Sequence, residues 1–235
     1  MAINTEKYKS ILAELNSKAT LVAVSKTKPI ADIMELYDLG QRDFGENYVQ
    51  EMVDKETALP KDIRWHFIGH LQSNKIKFIA PFVHLIHGVD SLGLLKEISK
   101  QGAKINKAID CLLQVHIARE ETKFGFDEPG LSQLFDTVVT GLHDYRNVSI
   151  NGLMGMASFS DDKDLVRSEF VYLKSLFDSA AQSSFSAKAS PKAETFNFHL
   201  SILSMGMSGD YSIALEEGSN MVRIGSLIFG ERDIC

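Results

Sequence analysis

The chain has 235 residues, of which 44% are hydrophobic and 24% charged, and its 25 Lys and Arg against 31 Asp and Glu give a formal net charge of −6 at pH 7. This composition is that of an ordinary globular protein able to bury a full core, which argues against disorder and against a fibrous structure. The net negative charge argues against a general nucleic-acid binder, which needs a dense basic surface.

The sequence shows no targeting or membrane segment. Residues 1–15 lack the basic start, the unbroken apolar stretch and the cleavage site of a secretory signal. No apolar run reaches the roughly 18 residues that a membrane-spanning helix needs. The two cysteines, Cys111 and Cys235, show no spacing typical of a zinc site or a disulfide framework. We therefore expect a cytoplasmic protein.

The pattern of apolar residues predicts a barrel. Residues 4–15 are helical in pattern and precede the first predicted strand. Short apolar runs then alternate with helix-like stretches, which is typical of βα units. The predicted strands are residues 20–26, 42–47, 65–70, 84–90, 111–118, 148–156, 196–206 and 220–225. They predict an α/β fold in which residues 1–235 form a single (β/α)8 TIM-type barrel with an extra N-terminal helix, and an open doubly wound sheet is the alternative.

The first predicted strand ends in a candidate reactive lysine. In such barrels the active groups come from the carboxyl ends of the strands. The segment VAVSK, residues 22–26, puts Val22, Val24 and Lys26 on one side because the strand period is two. If the valines fill the interior, Lys26 points into the mouth, where loss of water favours the neutral, nucleophilic amine. A solvated lysine at a strand end is the alternative.

The last two predicted strands add an arginine and two glycine-containing loops. Arg223 and Gly225 share a face of the last strand, which adjoins the first strand when the barrel closes. Gly225 and Ser226 begin the last loop, a recurrent phosphate site in barrel enzymes, and the small residues of 204–210 can also approach an anion. Turn geometry alone also explains each loop. No P-loop or GxGxxG pattern of a nucleotide-binding site is present. The combination of a strand-end lysine, a neighbouring arginine and two loops suited to a phosphate matches pyridoxal 5′-phosphate.

Several segments resemble a known family. The stretches AVSKTKP, FGENYVQE, WHFIGHLQSNK and EGSNMVRIGSLIFGER closely resemble the pyridoxal phosphate homeostasis proteins, whose fold is similar to the N-terminal barrel of alanine racemase. The resemblance spans nearly the whole chain. It implies that Lys26 holds the cofactor as an imine and that Arg223 lies at the pyridine nitrogen. It further implies contacts from Ser208, Gly225 and Ser226 to the phosphate, with Met207 alongside and Asn47 near the cofactor.

One segment of the resemblance is imperfect. Residues 121–125, ETKFG, match a KxG element of the family after the fifth strand. His116, Ile117 and Ala118 stand where an Asn is more usual. This departure weakens the expectation of a polar contact from the fifth strand.

Two features favour binding over catalysis. A guanidinium cannot accept a hydrogen bond from the ring, so Arg223 leaves the pyridine unprotonated and weakens it as an electron sink. In racemases of similar fold a tyrosine from a second domain supplies the second base, and only residues 226–235 follow the last predicted strand. We therefore predict a protein without catalytic residues that binds, stores and delivers pyridoxal phosphate, with PLP-dependent apoenzymes as partners. The resemblance to the family further implies a monomer. A PLP-dependent amino acid racemase, or an aldolase that uses Lys26 on a sugar phosphate, is the alternative.

The histidines predict no metal centre. His66 and His70 are four residues apart at the end of the third strand, where this spacing forms no shared metal-binding face, and no third ligand is evident. We expect His66 to be packed inside the barrel and His70 to lie near the mouth. His84 and His87 are interpreted as hydrogen-bonded core groups.

Overall fold

The computed structural model describes residues 3–119, 124–182 and 197–230. The strands are β1 (Thr20–Val24), β2 (Asp43–Glu46), β3 (Arg64–Phe67), β4 (Leu85–Val89), β5 (Ile109–Val115), β6 (Val148–Gly155), β7 (Asn197–Ser204) and β8 (Met221–Ile224). The helices are α1 (Thr5–Leu15), α2 (Ile30–Asp38), α3 (Val49–Ala58), α4 (Ile76–Ile79), α5 (Leu92–Lys104), α6 (Glu128–Thr140), α7 (Lys163–Gln182), α8 (Tyr211–Glu216) and α9 (Ser226–Phe229). Short 3-10 turns occupy Ser73–Lys75 and Leu142–Tyr145.

The strands form a closed parallel barrel. Neighbours in the chain pair with each other, and β8 pairs with β1 to close the sheet. The predicted (β/α)8 barrel is therefore confirmed, and the open doubly wound sheet is excluded. We call the end of the barrel at the carboxyl termini of the strands the upper end, and the opposite end the lower end.

The observed strands stop earlier than the predicted ones at the upper end. The segments predicted to end at Lys26, Asn47 and His70 leave the sheet at Val24, Glu46 and Phe67. Periodicity alone does not show where a strand becomes a loop, because the apolar pattern continues into it. Lys26 and Asn47 consequently lie on the loops just above the sheet, whereas Arg223 lies within β8.

Two apolar layers hold the barrel together. Inward-facing side chains form a compact cluster in the interior, which comprises Val22, Leu85, Leu112, Met154 and Met221. Outward-facing side chains of the strands pack against the surrounding helices, as Phe44 of β2 and Trp65 of β3 do. This alternation follows from the strand period of two, and it leaves the interior narrow and filled.

Helix α1 lies against the side of the barrel where β8 meets β1. Asn4 caps the helix by accepting a hydrogen bond from the Lys7 amide at 2.9 Å. Its buried face comprises Tyr8, Ile11 and Leu15. The Asn4 amide also donates to the Ile228 carbonyl of α9 at 2.7 Å. The predicted N-terminal helix is present and packs in the outer layer of the barrel.

The described residues contain no helix with both the length and the apolar character that crossing a bilayer requires. Cys111 is buried on β5, where burial raises the pKa of its thiol well above the usual value. Cys235 lies outside the described residues. Cys111 is thus a packing group rather than a reactive thiol.

Candidate functional site

Lys26 lies just above the end of β1. The Ser25 hydroxyl points to the helix layer and donates to Glu46 Oε1 at 2.6 Å. Because successive side chains alternate, Lys26 then continues the inward direction of Val22 and Val24. Its side chain is partly buried, and Thr27 adopts a left-handed conformation with φ of +64° that turns the chain away. The structure therefore brings Lys26 to the upper end of the barrel.

A buried ion pair supports the segment that carries Lys26. Lys55 of α3 is buried and donates to Glu46 Oε1 at 2.8 Å, to Glu51 Oε1 at 2.7 Å and to the Ser25 carbonyl at 2.8 Å. Glu51 Oε1 also accepts a hydrogen bond from the Thr27 amide at 2.6 Å. Burial raises the pKa of Glu46, and the Lys55 ammonium opposes that shift. The backbone is thus fixed on both sides of Lys26.

Sequence reasoning missed this support. The only signal for it was the i,i+4 spacing of Glu51 and Lys55, which usually indicates a solvated helix face. Glu46 lies within the FGENYVQE block, but nothing in the pattern indicated that its side chain faces a lysine. The ion pair forms only because α3 packs over the ends of β1 and β2.

Arg223 is a buried cation in the upper part of the interior. It lies opposite Val22 in the pairing of β8 with β1. Its Nη1 donates to the Ser204 carbonyl at 2.9 Å and to Ser204 Oγ at 2.6 Å, and its Nη2 donates to the Gly155 carbonyl at 3.0 Å. Burial lowers its pKa to about 10, and the Asp210 carboxylate partly opposes that shift. Arg223 therefore keeps its charge at neutral pH and can only donate hydrogen bonds.

The loops after β7 and β8 meet at the upper end. The Gly225 amide donates to Ser208 Oγ at 3.3 Å, which joins the two loops, and Ser226 begins α9. A Cβ added at Gly225 would lie 3.1 Å from the Val24 carbonyl, so the chain approaches β1 closely here. The Met207 amide donates to Asp210 Oδ1 at 2.6 Å, and Met207 itself is 36% exposed. Ser208, Gly225 and Ser226 thus form one group, with Met207 at its solvent side.

Asn47 follows β2, next to the Lys26 segment. Its Oδ1 is buried, yet no hydrogen-bond partner for it is found among the described residues. A buried amide oxygen without a partner is costly, so this atom is suited to a ligand that donates a hydrogen bond. Gly69 makes room for this segment, because a Cβ there would lie 2.6 Å from the Asn47 carbonyl.

The loop after β5 also reaches the upper end. Gln114 donates to the Phe124 carbonyl at 2.7 Å. The Phe124 ring stacks on His70 at 4.8 Å between centroids, and His70 Nδ1 lies 3.1 Å from Asp90 Oδ2. His70 is thus near the mouth, as predicted. Residues 120–123 lie outside the described residues, so the ETKFG element is covered only at Phe124 and Gly125.

A chain of hydrogen bonds crosses the interior below Arg223. His66 Nε2 lies 3.0 Å from Asp43 Oδ1, His66 Nδ1 lies 2.9 Å from His87 Nε2, and His87 Nδ1 lies 3.3 Å from Ser204 Oγ. Ser204 in turn accepts from Arg223. Burial lowers the pKa of His87 well below the usual histidine value, so this ring is neutral. The expectation that His66 and His87 are packed interior groups is confirmed.

The expectation for His84 is wrong. His84 is exposed, since it comes one residue before β4 and lies on the lower rim of the barrel. His84 lies close to Asp43 and His66, and the three side chains form a group of possible metal ligands. The spacing of the histidines in the sequence did not reveal this group. Asp43 lies on β2, His66 on β3 and His84 just before β4, so the pairing of these strands in the barrel brings the three residues together.

Sequence comparison finds relatives over nearly the whole chain. The family model described as "Alanine racemase, N-terminal domain" matches residues 1–233. The pyridoxal phosphate homeostasis protein of Aquifex aeolicus is 40% identical over 215 residues, which cover 91% of this chain and 87% of that protein. The protein of the same name from Synechocystis is 36% identical over 227 residues, 96% of this chain and 97% of that protein.

Comparison with solved structures gives the same picture. PipY of Synechococcus elongatus with PLP bound is 32% identical, has a TM-score of 0.81, and covers 96% of this chain and 99% of its own. Alanine racemase from Streptomyces coelicolor has a TM-score of 0.71 at 14% identity. That match covers 94% of this chain but 56% of the racemase, and at this identity it shows the fold alone.

Proposed function

The chain belongs to the alanine racemase N-terminal domain family, and from this premise we propose that it binds pyridoxal 5′-phosphate through Lys26. In this proposal the protein stores the cofactor and delivers it to PLP-dependent apoenzymes, with little or no turnover of its own. The relatives described above carry the name pyridoxal phosphate homeostasis protein, which supports this role. A cytoplasmic location and a monomeric state are part of the same proposal.

The pairing of β1 with β8 is the observation that carries the proposal. It sets Arg223 beside Val22, so that the lysine segment and the buried arginine share one side of the upper end. The loop group of Ser208, Gly225 and Ser226 closes over the same pair of strands. Pyridoxal phosphate requires three contacts, and the upper end offers each of them. The aldehyde needs an amine, the pyridine nitrogen accepts from a fixed cation, and the phosphate binds to loop amides.

The unpartnered Asn47 Oδ1 supports the fit. Sites built to hold a polar ligand contain buried polar atoms that stay unsatisfied until the ligand arrives. Pyridoxal phosphate carries a ring hydroxyl, and Asn47 lies on the strand end beside Lys26. We therefore assign Lys26, Asn47, Met207, Ser208, Arg223, Gly225 and Ser226 to the cofactor site.

Arg223 accounts for the expected lack of catalysis. When bound, pyridoxal phosphate supplies an aldehyde for the amine and a ring that withdraws electrons best when its nitrogen is protonated. Arg223 keeps its charge because its pKa of about 10 lies well above neutral. Arg223 would donate to the ring nitrogen of a bound cofactor, and this nitrogen would then stay unprotonated. Lys26, Asn47 and the loop amides bind and orient the cofactor.

The upper end is open enough for transfer to a partner. Ser226 is exposed and Met207 is 36% exposed, so the proposed phosphate end lies at the protein surface. A cofactor held there by a reversible bond to one amine can leave without unfolding of the barrel. This accessibility suits a carrier, since an enzyme gains from excluding water from its reaction.

The test of binding compares two neighbouring lysines. Lys26→Ala removes the proposed amine, whereas Lys28→Ala removes a lysine whose Nζ donates to the Phe229 carbonyl at 2.8 Å. After addition of pyridoxal phosphate and gel filtration, we expect the visible band of the lysine-bound cofactor in the wild type and in Lys28→Ala. A band that persists in Lys26→Ala would overturn the assignment of the amine.

The test of turnover separates a carrier from an enzyme. The loaded wild type is incubated with single amino acids, and racemised or transaminated products are measured against free cofactor at equal concentration. We expect no product above that background, and we expect the loaded protein to activate an added PLP-dependent apoenzyme. Sustained turnover that Lys26→Ala abolishes would refute the storage role and favour the racemase-like alternative.

A further inference from the structure

The lower end of the barrel carries three metal-binding side chains that the proposed function does not use. Asp43 opens β2, His66 lies on β3, and His84 immediately precedes β4. One carboxylate oxygen and one nitrogen from each ring lie within 4.8 Å of one another. The cofactor site assigned above is at the opposite end of the barrel.

All three side chains face one cavity. This cavity has a volume of about 480 Å³ and is lined by residues at or near the beginning of several strands, among them Asp43, His66 and His84. Asp43 and His66 are buried in its wall, whereas His84 is exposed at the rim. Two donors are therefore held in place, and the third can rotate toward them with water filling a remaining coordination position.

We propose that Asp43, His66 and His84 bind a divalent first-row transition metal ion such as Zn²⁺ or Co²⁺. Two imidazoles and one carboxylate are typical ligands of these ions, whereas Mg²⁺ and Ca²⁺ prefer oxygen ligands throughout. Neighbouring ligand atoms around tetrahedral zinc lie about 3.4 Å apart, as bond lengths near 2.1 Å require. His66 Nε2 and Asp43 Oδ1 are 3.0 Å apart, close to this spacing before any ion binds.

The second nitrogen of His66 already has the partner that a metal ligand needs. A histidine that binds metal through one nitrogen nearly always donates its other N–H to a fixed acceptor. His66 Nδ1 lies 2.9 Å from His87 Nε2, and His87 Nδ1 lies 3.3 Å from Ser204 Oγ. With an ion on His66 Nε2, each ring can donate upward in turn, from His66 to His87 and from His87 to Ser204.

Without the ion, and with both rings neutral, the same chain runs in the opposite direction, because the Asp43 carboxylate can only accept a hydrogen bond. Ser204 then donates to His87 Nδ1, His87 Nε2–H donates to His66 Nδ1, and His66 Nε2–H donates to Asp43 Oδ1. On binding of the ion, the proton of His66 moves from Nε2 to Nδ1, the proton of His87 moves from Nε2 to Nδ1, and the Ser204 hydroxyl keeps its proton. Both arrangements therefore hold the same number of protons, and the ion changes the two tautomers without a net loss of a proton. Because Ser204 also accepts from Arg223, the reversal reaches the proposed cofactor site, and this regulatory part rests on the proposed function.

Arg64 gives the site a distinctive response to mutation. Its Nε donates to Asp43 Oδ1 at 2.7 Å, and its Nη2 contacts the other carboxylate oxygen. A guanidinium at this place repels a metal ion and competes with it for Asp43. Removal of Arg64 therefore tightens metal binding at this site, whereas it leaves a metal bound elsewhere on the surface unaffected.

The test uses the chain stripped of cofactor and metal and titrated with Co²⁺, whose visible absorption reports its coordination. We expect His84→Asn to weaken binding about 100-fold and Arg64→Gln to tighten it about tenfold. His70→Asn, which alters an exposed histidine at the upper end, is the control and leaves the affinity unchanged. No Co²⁺ absorption in the wild type, or equal affinity in His84→Asn, would overturn the proposal.

The regulatory part has its own measurement. Zn²⁺ is added to the cofactor-loaded wild type and to loaded Ser204→Ala, and the visible band is followed. A shift in the wild type that is absent in Ser204→Ala supports the reversal, and an unshifted wild-type band rejects it. Because the Co²⁺ titration contains no cofactor, a failure of the metal site and a failure of the proposed function give different results.

Discussion

The two ends of the barrel carry different kinds of site. At the upper end, Lys26 and the two glycine-containing loops lie just beyond the strands, and the lysine segment is supported by the fully buried Lys55–Glu46 pair. At the lower end, Asp43 and Arg64 are the first residues of β2 and β3, and the buried Asp43 carboxylate is paired with Arg64, whose side chain is 47% exposed. The upper end is thus stabilised by a buried ion pair between the strands and the helix layer, whereas the cavity at the lower end is open to water.

This difference shows how burial decides the value of an ion pair. When both members of an ion pair are buried, each depends on the other to stay charged. A buried carboxylate whose partner is half exposed beside an open cavity can use water when that partner is removed. The histidine chain from Asp43 to Ser204 connects the two environments. The loss of unfolding free energy on breaking an ion pair should therefore be larger at the upper end, where both partners are buried, than at the lower end, where one partner is half exposed.

The largest effect is expected for Lys55→Met. Glu46 is completely buried and would keep an unpaired charge, which costs about 3–5 kcal/mol of unfolding free energy. Urea denaturation measures this loss, and the double variant with Glu46→Gln should recover part of it because the charge is gone. A loss below about 1 kcal/mol, as for surface pairs, would show that Lys55 is not a structural support of the upper end.

A smaller effect is expected for Gly206→Ala. Gly206 has a φ of +96°, and a Cβ there would lie 2.6 Å from the Ala214 Cβ, so we expect a loss of about 1–3 kcal/mol. Thermal unfolding measures the loss, and retention of pyridoxal phosphate should fall because the Met207–Ser208 loop is displaced. Gly209→Ala is the matched control, because a Cβ there meets no atom within 4 Å. Equal behaviour of the two variants would contradict the proposed role of this loop.

Ser204→Ala tests the connection between the two ends. It removes the hydroxyl that His87 and Arg223 share, for an expected cost of about 1–2 kcal/mol. The ring nitrogens of His66 and His87 are then measured by nitrogen-15 NMR on the metal-free protein. Because His66 still donates to Asp43, we expect both tautomers to be kept and the His87 Nδ1 signal to shift, since this nitrogen loses its donor. If the His87 Nδ1 signal stays as in the wild type, the Ser204 hydroxyl is not part of the chain.

The smallest effect is expected for Arg64→Gln. The Arg64 side chain is half exposed, and the buried Asp43 carboxylate keeps His66 and the water of the open cavity as partners, so we expect a loss of about 1 kcal/mol. Urea denaturation beside Lys55→Met provides the comparison. A loss as large as that of Lys55→Met would mean that water does not replace Arg64 at Asp43, and that the Arg64–Asp43 pair behaves as the buried Lys55–Glu46 pair does.

The sequence was sufficient for the barrel and for the main residues of the upper end. Alternating β-branched runs marked all eight strands, and the period of two aligned Lys26 with Val22 and Val24. The runs of β-branched residues and the period of two are both properties of a single strand, so they can be recognised without knowing which strands are neighbours. The resemblance to the family then supplied Asn47 and Met207, which no local pattern indicated.

The sequence was insufficient for the polar groups that meet across strands. Lys55 resembles any charged residue on a solvated helix, and Asp43 lay within a predicted strand without a partner in the chain. His84 was placed in the core because the apolar pattern begins next to it, yet it lies on the rim. Such groups are found only when the closed barrel fixes which strand ends are neighbours.

The most direct test of the central claim is to locate the covalent link itself. The loaded wild type is reduced with borohydride, which fixes the cofactor to its amine, and digested for peptide mass spectrometry. We predict that the added mass lies on Lys26 and that the neighbouring Lys28 is unmodified. A label on Lys28 or on another lysine, or no label at all, would contradict the account.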